Sequence, residues 1–326
     1  MATYLVTGGA GFIGSHLVHA LVERGEEVRV LDNFSTGRWE NLEGLEGKIE
    51  VIEGDLGDPA LLAKAVHGID YILHQAALPS VARSVEDPFA SHAANATGTL
   101  NLLLAAKAAK VKRVVYASSS SVYGDSPTLP KKEEMKPNPK SPYAVSKLMG
   151  EYYCQVFSRL YGLETVSLRY FNVFGPRQDP SSPYAAVIPR FISAMLEGRP
   201  PVIFGDGLQS RDFTSVENVV EANFLALTAE EAVGEVINVA LGERYTLLTL
   251  VEGLNRILGS RLLPRFEGPR PGDVRHSQAS IEKAERLLGY RPKVGFEEGL
   301  RRMVEWLKTS DHRPPTLDPN AFRSKV

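Results

Sequence analysis

The chain has 326 residues, 43% of them apolar and 23% charged, with a formal net charge of −2. That length holds two compact units or one large α/β unit with an added lobe, and the near-neutral charge gives no reason to expect nucleic acid or an acidic membrane surface as a partner. No stretch approaches the ~20 apolar residues that cross a bilayer, and the chain enters a strand within a few residues of its start, leaving no signal peptide; a cytoplasmic protein is expected.

A first strand, Tyr4–Thr7, runs into Thr7-Gly-Gly-Ala-Gly-Phe-Ile-Gly14 and a helix over Phe12–Arg24. Gly8, Gly11 and Gly14 let the backbone turn tightly and approach a diphosphate, while the helix start offers unpaired N–H groups and a positive dipole. A glycine triplet can also serve packing alone, so the next strand carries weight. Val28–Asp32 ends in a carboxylate 18 residues after Gly14, placed to accept from both hydroxyls of a ribose. Asp32 would repel a 2′-phosphate, which favours NAD over NADP; Arg38 keeps the second option open. The third strand, Glu50–Glu53, leads to Gly54-Asp55-Leu56, where Asp55 either reaches an adenine or serves the helix start at Asp58-Pro59. After a helix over Ala60–Val66, the fourth strand, Tyr71–His74, ends in Gln75-Ala76-Ala77. Those small residues leave room for a cofactor to cross the sheet edge.

A helix over Phe89–Ala109 precedes the fifth strand, Arg113–Ser118, which ends in Ser118-Ser-Ser-Ser-Val-Tyr-Gly124. Serines there can satisfy loop backbone, but strand C-terminal ends in open α/β sheets face the ligand crevice. The next helix, Tyr143–Tyr161, begins in Ser141-Pro-Tyr-Ala-Val-Ser-Lys147, so Tyr143 and Lys147 share one face. The only cysteine, Cys154, lies on this helix, reads as a small buried apolar side chain, excludes an internal disulfide and suits a reducing compartment. A tyrosine is a poor base at neutral pH because its free pKa is about 10. An ammonium and a cationic nicotinamide nearby favour the phenolate, and a shift of roughly three units is worth ~4 kcal/mol. Tyr143, Lys147 and Ser119 together suggest proton removal from an alcohol coupled to hydride transfer.

A sixth strand, Thr165–Arg169, ends the alternating half. Continuous apolar strands between amphipathic helices imply an α/β fold, a doubly wound parallel sheet of Rossmann type. Beyond Tyr170 the prolines break the chain into loops and short helices, with one further strand at Glu235–Val239 returning to the large sheet. Helices over Leu248–Leu258 and Phe296–Lys308 build a smaller mixed C-terminal lobe. The expected division is a dinucleotide-binding domain over 1–170 with a return segment near 213–240, a nucleotide-sugar lobe over 171–212 and 241–310, and a tail over 311–326 that is an ordered strap or a loose end. There are no internal repeats and no metal site.

The ordered set Thr7–Gly14, Asp32-Asn-Phe-Ser-Thr-Gly37, His74–Ala77, Ser118–Gly124, Tyr143–Lys147, Arg169-Tyr-Phe-Asn-Val-Phe-Gly175, Ser210-Arg-Asp-Phe213 and Arg270-Pro-Gly-Asp273 resembles the extended short-chain dehydrogenases/reductases over nearly the whole chain. Within that branch it is most similar to UDP-hexose 4-epimerases of the UDP-galactose and UDP-N-acetylglucosamine type. The resemblance implies Tyr143 as base toward the sugar 4-hydroxyl, Ser119 hydrogen-bonding that hydroxyl, and Lys147 holding the nicotinamide ribose and lowering the Tyr143 pKa. Hydride would pass from C4 to tightly bound NAD, the 4-keto sugar rotate, and hydride return to the opposite face. Cofactor contacts are expected from Gly8, Gly11, Phe12, Ile13, Gly14, Asp32, Asn33, Ser35, Thr36, Gly37, Asp55, Leu56, Gln75, Ala76, Ala77, Asn95, Tyr143, Lys147 and Tyr170. The UDP-hexose is expected on Ser80, Ser119, Ser120, Ser121, Tyr143, Asn172, Val187, Phe204, Arg211, Arg270, Asp273 and Ser277. Asn172 and Arg211 would meet the diphosphate, for which a planar, permanently charged fork is well shaped; Arg270 would meet the nucleotide and Asp273 its ribose.

Sugar-nucleotide 4,6-dehydratases place acidic residues after the strand-five hydroxyl; Ser120 and Ser121 stand there instead, so elimination lacks its acid and base. Decarboxylating relatives carry a glutamate nearby, also absent. UDP-glucuronate 4-epimerisation stays open, since it needs the same catalytic set and a cationic or hydroxyl-rich C6 pocket. Ser277 is small where a bulky residue confines the family to the plain hexoses, which predicts acceptance of the N-acetyl sugars. Outside this class stand a non-catalytic NAD-binding regulator and a net dehydrogenase that releases its cofactor each turn. Helices Phe89–Ala109 and Tyr143–Tyr161 are apolar on more than one face, and in the family such helices pair across a two-fold, so a homodimer is expected.

Overall fold

A computed structural model describes residues 1–182, 184–269 and 274–309. Six strands of the first half, β1 (Thr3–Thr7), β2 (Glu27–Asp32), β3 (Ile49–Glu53), β4 (Tyr71–His74), β5 (Arg113–Ser119) and β6 (Glu164–Tyr170), join a seventh, Val236–Val239, in one sheet. Every pairing is parallel, and the order is seventh–β6–β5–β4–β1–β2–β3. The strand order reverses between β1 and β4, so a crevice opens beyond their C-terminal ends. The expected return of Glu235–Val239 to this sheet is observed, in register with Ser167–Tyr170.

Alternate residues of each strand serve opposite faces, which is why the strands carry apolar side chains throughout. On β1, Val6 joins Leu17 and Leu21 of helix α1 (Phe12–Glu23) on one face. Its neighbour Leu5 joins Ile72, Val114 and Leu102 on the other. Helix α2 (Pro59–Ala65) is started by Asp58, whose carboxylate accepts from Ala60 and Leu61 N–H, with Pro59 at the first helical position.

The helix expected over Phe89–Ala109 is observed as α4 (Pro88–His92), a wide π turn over Ala93–Thr97 and α5 (Gly98–Ala108), and a short helix that was not expected, α3 (Val81–Glu86), precedes it. Pro88 brings no N–H to continue a preceding helix, so Asp87 turns extended (φ −136°) and caps a new one through Ala90 N–H at 2.9 Å. Helix α6 (Pro142–Tyr161) is started by Ser141, which accepts from Ala144 N–H, and ends on Gly162 in the left-handed region (φ 68°).

Beyond β6 come α7 (Val187–Leu196), α8 (Val216–Thr228), α9 (Leu247–Leu258), α10 (Glu282–Leu288) and α11 (Phe296–Thr309), with short strand pairs. Phe174, Phe213 and Phe296 stack among α7, α9 and α11 to make a separate apolar core. Helices α8 and α10 instead lean on the large sheet through Val219, Ala222 and Leu288. The expected tail over 311–326 lies outside the described residues.

Beneath the crevice His74 is fully buried between Thr7 Oγ1 (2.7 Å) and Thr99 Oγ1 (2.9 Å). Burial, with Lys147 nearby, pushes its pKa down to about 3; burial likewise holds His16 down to about 4. The unfolded chain binds these protons from about pH 6.5 downward while the folded one does not, so stability falls as pH falls from 6.5 toward 3. At pH 5 His74 alone is expected to remove ~2 kcal/mol. Melting temperature followed from pH 7 to 5 measures this, and His74→Gln should flatten the slope.

Candidate active site

A cleft of about 610 Å³ opens at the C-terminal ends of β1 to β6. Gly8, Gly11, Phe12, Ile13, Gly14, Asp32, Asn33, Ser35, Thr36, Asp55, Leu56, Gln75, Ala76, Ala77, Tyr143, Lys147 and Tyr170 line it together. Gly8 has φ 68°, and a Cβ there would lie 2.7 Å from Ala76 backbone. The α1 start is capped by Gly11 with no side-chain bond and no acidic residue in its first turn, which leaves its amides facing the cleft. Asp32, 7% exposed, accepts from Ala10 N–H at 2.9 Å and Phe34 N–H at 2.8 Å. Burial raises its pKa and those two amides lower it. Gly37 wraps this carboxylate so closely that a Cβ would sit 2.8 Å from Asp32 Oδ1. Asn33 donates to Asp55 at 2.7 Å, closing the far end, while the helix start is capped by Asp58; the two readings of Asp55 thereby separate. Arg38 pairs with Asp179 at 2.6 Å, so its fork is committed away from a 2′-phosphate. A glycine cradle, an uncapped helix start and a buried ribose-height carboxylate suit a dinucleotide such as NAD.

At the other end Tyr143 and Lys147 project from α6 toward the end of β5. Burial raises the pKa of the Tyr143 phenol, and the nearby Ser119 side chain lowers it. Lys147 is 3% exposed and donates to Ala117 carbonyl at 2.8 Å. Desolvation drives the Lys147 pKa down to about 8. Both shifts have one cause, a dry pocket that disfavours any uncompensated charge. Ser119 Oγ also accepts from Ser121 N–H at 3.2 Å, and Ser121 Oγ is buried without a protein partner among the described residues.

The residues beyond Tyr170 are held by backbone rather than gathered on the cleft wall. Asn172 adopts φ 34° and donates to Asp212 carbonyl at 3.3 Å. Arg211 donates to Ser210 and Arg275 carbonyls, and Ser277 N–H donates to Ser210 carbonyl at 3.0 Å. Ser80 has φ 94° and caps α3 through Arg83 N–H. Val187 opens α7, and Phe204 ends the short strand Val202–Phe204. Arg270 and Asp273 lie outside the described residues.

The NAD-dependent epimerase/dehydratase family matches residues 4–240. The chain belongs to that family. A UDP-glucose 4-epimerase of Mycolicibacterium smegmatis is 40% identical over 308 residues, covering 93% of this chain and 98% of its own. The solved UDP-N-acetylglucosamine 4-epimerase of Methanobrevibacter ruminantium, in complex with UDP-N-acetylmuramic acid, is 45% identical with TM-score 0.90, covering 94% and 98%. The UDP-glucuronic acid 4-epimerase of Bacillus cereus, solved with UDP-glucuronic acid and NAD, is 36% identical with TM-score 0.87, covering 94% and 99%.

Several residues that shape this epimerase/dehydratase site were missed by sequence reasoning or expected in another role. Asn95, expected on the cofactor, is buried in the π turn, accepting from Leu78 N–H at 2.7 Å and donating to Ser146 at 3.1 Å. It thereby ties the loop after β4 to the helix carrying Tyr143. Glu151, four residues after Lys147, accepts from Ser118 at 2.5 Å and twice from Arg169 at 2.8 Å, all within the interior. This bidentate pair fixes α6, β5 and β6 relative to one another. Helical spacing from Lys147 could have pointed to Glu151, and Arg169 opens the quoted run Arg169–Gly175, but nothing in the sequence joined the two. Asp212, fully buried, accepts from Leu241, Gly242 and Ala279 N–H at 3.0 to 3.1 Å, gathering three loops beside Arg211 and Ser277. No helix among the described residues is long and apolar enough to cross a membrane.

Proposed function

We propose that this chain inverts C4 of a UDP-hexose through a transient 4-keto sugar, acting on UDP-Glc/UDP-Gal and on UDP-GlcNAc/UDP-GalNAc. The observation that carries the reading is that Tyr143 and Lys147 line the dinucleotide-shaped cleft together, with Ser119 beside the Tyr143 phenol. NAD, when bound there, supplies the hydride acceptor and a cationic ring. Ser119 positions the sugar 4-hydroxyl and Tyr143 removes its proton, then returns it when the opposite face is reduced. The same groups act in both directions, so positioning supplies most of the acceleration. Asp32 takes the adenosine ribose, and the α1 amides take the cofactor's diphosphate. Asn172 and Arg211 take the diphosphate of the sugar nucleotide, with Arg270 and Asp273 on the nucleoside.

Incubating the purified protein with UDP-Glc tests this: UDP-Gal should accumulate without net NADH. Stoichiometric NADH would instead identify a net dehydrogenase, and no turnover with NAD bound a regulator. UDP-glucuronate is the second reading, supported by the hydroxyl-rich strand end at Ser119–Ser121 and by the glucuronate-bound relative. Initial rates on UDP-Glc, UDP-GlcNAc and UDP-GlcUA side by side rank the three. For the N-acetyl sugars, Ser277→Tyr should abolish turnover of UDP-GlcNAc while sparing UDP-Glc; equal loss of both rejects the gatekeeper.

A homodimer completes the proposal. Leu104, Val145, Tyr152, Val156 and Leu160 expose apolar side chains along α5 and α6, the last 72% exposed. Contiguous apolar surface of this kind favours burial against a second copy. Light scattering should give twice the chain mass, and a monomer refutes it.

A further inference from the structure

Four charged side chains line the cleft among the described residues: Asp32, Asp55, Lys147 and Arg83. The first three are engaged, with Asp32 on two backbone amides, Asp55 on Asn33 and Lys147 on the Ala117 carbonyl. Arg83 differs. Its backbone N–H donates to Ser80 Oγ at 3.2 Å, but its guanidinium has no hydrogen bond or ion pair with any described residue. The carboxylates near it in sequence are already committed: Glu86 accepts from the Tyr184 phenol, and Asp87 caps α4. A half-buried guanidinium that lines a cleft and has no protein counter-charge among the described residues is open to an anion that enters there.

We propose that Arg83 binds an anionic oxygen of the molecules seated in the cleft, either a phosphoryl oxygen of the cofactor or the C6 carboxylate of a hexuronate sugar. Both sources are within the topology. Arg83 follows β4, which pairs with β1 and its glycine turn on one side and with β5 and its serine end on the other. The guanidinium fork matches phosphate and carboxylate alike. The carboxylate source rests on the UDP-sugar reading above; the phosphoryl source does not.

Arg83→Gln and Arg83→Lys are compared with the parent for NAD retained through purification and for kcat/KM on UDP-GlcUA relative to UDP-Glc. A fall of about tenfold or more in that ratio for Arg83→Gln, partly recovered in Arg83→Lys, assigns the carboxylate. Loss of most of the retained NAD in Arg83→Gln, again partly recovered with lysine, assigns the phosphoryl oxygen. Parent-like NAD retention together with a parent-like ratio overturns the proposal. Where the parent turns over neither sugar, the epimerase reading fails, and NAD retention alone decides the role of Arg83.

Discussion

Tyr143→Phe is expected to lower kcat by roughly 10²–10⁴-fold, the span of a positioned general acid–base group. The ring stays, so its packing in the cleft and the retained NAD should stay with it. Only the phenol hydroxyl, whose pKa the nearby Ser119 lowers, is lost. The site therefore keeps its shape and loses the group that moves the proton, so KM for the nucleotide sugar should change far less than kcat. The assay is UDP-Gal formation from UDP-Glc, with NAD content measured on the same sample. An undiminished kcat would remove Tyr143 from the reaction and, with it, the proposed chemistry. Loss of NAD alongside kcat would instead place the residue in cofactor retention.

Gly14→Ala is the second large effect, and it acts through backbone. A Cβ at Gly14 would lie 2.0 Å from the Gly8 carbonyl oxygen and 2.9 Å from Gly9 Cα. Neither atom can rotate away, so α1 must move off β1 and break the turn closed by Gly11 N–H on the Gly8 carbonyl at 3.0 Å. Overpacking of this kind costs about 1–3 kcal/mol or more, and the displaced amides are those proposed to hold the cofactor's diphosphate. A lowered melting temperature and loss of copurified NAD are expected together. Gly268→Ala is the matched control, because a Cβ there meets nothing within 4 Å. If Gly14→Ala purifies with full NAD, the turn is not the diphosphate cradle.

The large sheet was legible because its signals are local. Strands β1 to β6 announce themselves by β-branched runs, and the turn at Gly8–Gly14 and the Tyr143/Lys147 spacing each lie within one element. The short helix α3 escaped because six residues are too few to show a helical period, and Asp87-Pro88 separates it from the helix that follows. Asp212 and Arg169 escaped for a different reason. Their roles arise from partners 18 to 67 residues away, whose proximity exists only once the chain has folded. Lys147 adds a third lesson: its amine was expected to depress the Tyr143 pKa, whereas burial dominates both groups in the protein alone.

The strand Val236–Val239 gives the molecule a mechanical property. The chain leaves the large sheet after β6, builds Val187–Leu196, comes back through Val216–Thr228 and this strand, then departs again for Leu247–Leu258. Sheet and lobe are thus stitched by several crossings, and opening them like a clamshell would bend every stitch at once. Ligands must then enter a chamber whose walls are already set. Under the proposed function, the 4-keto sugar would have to turn by pivoting on its phosphates within those walls.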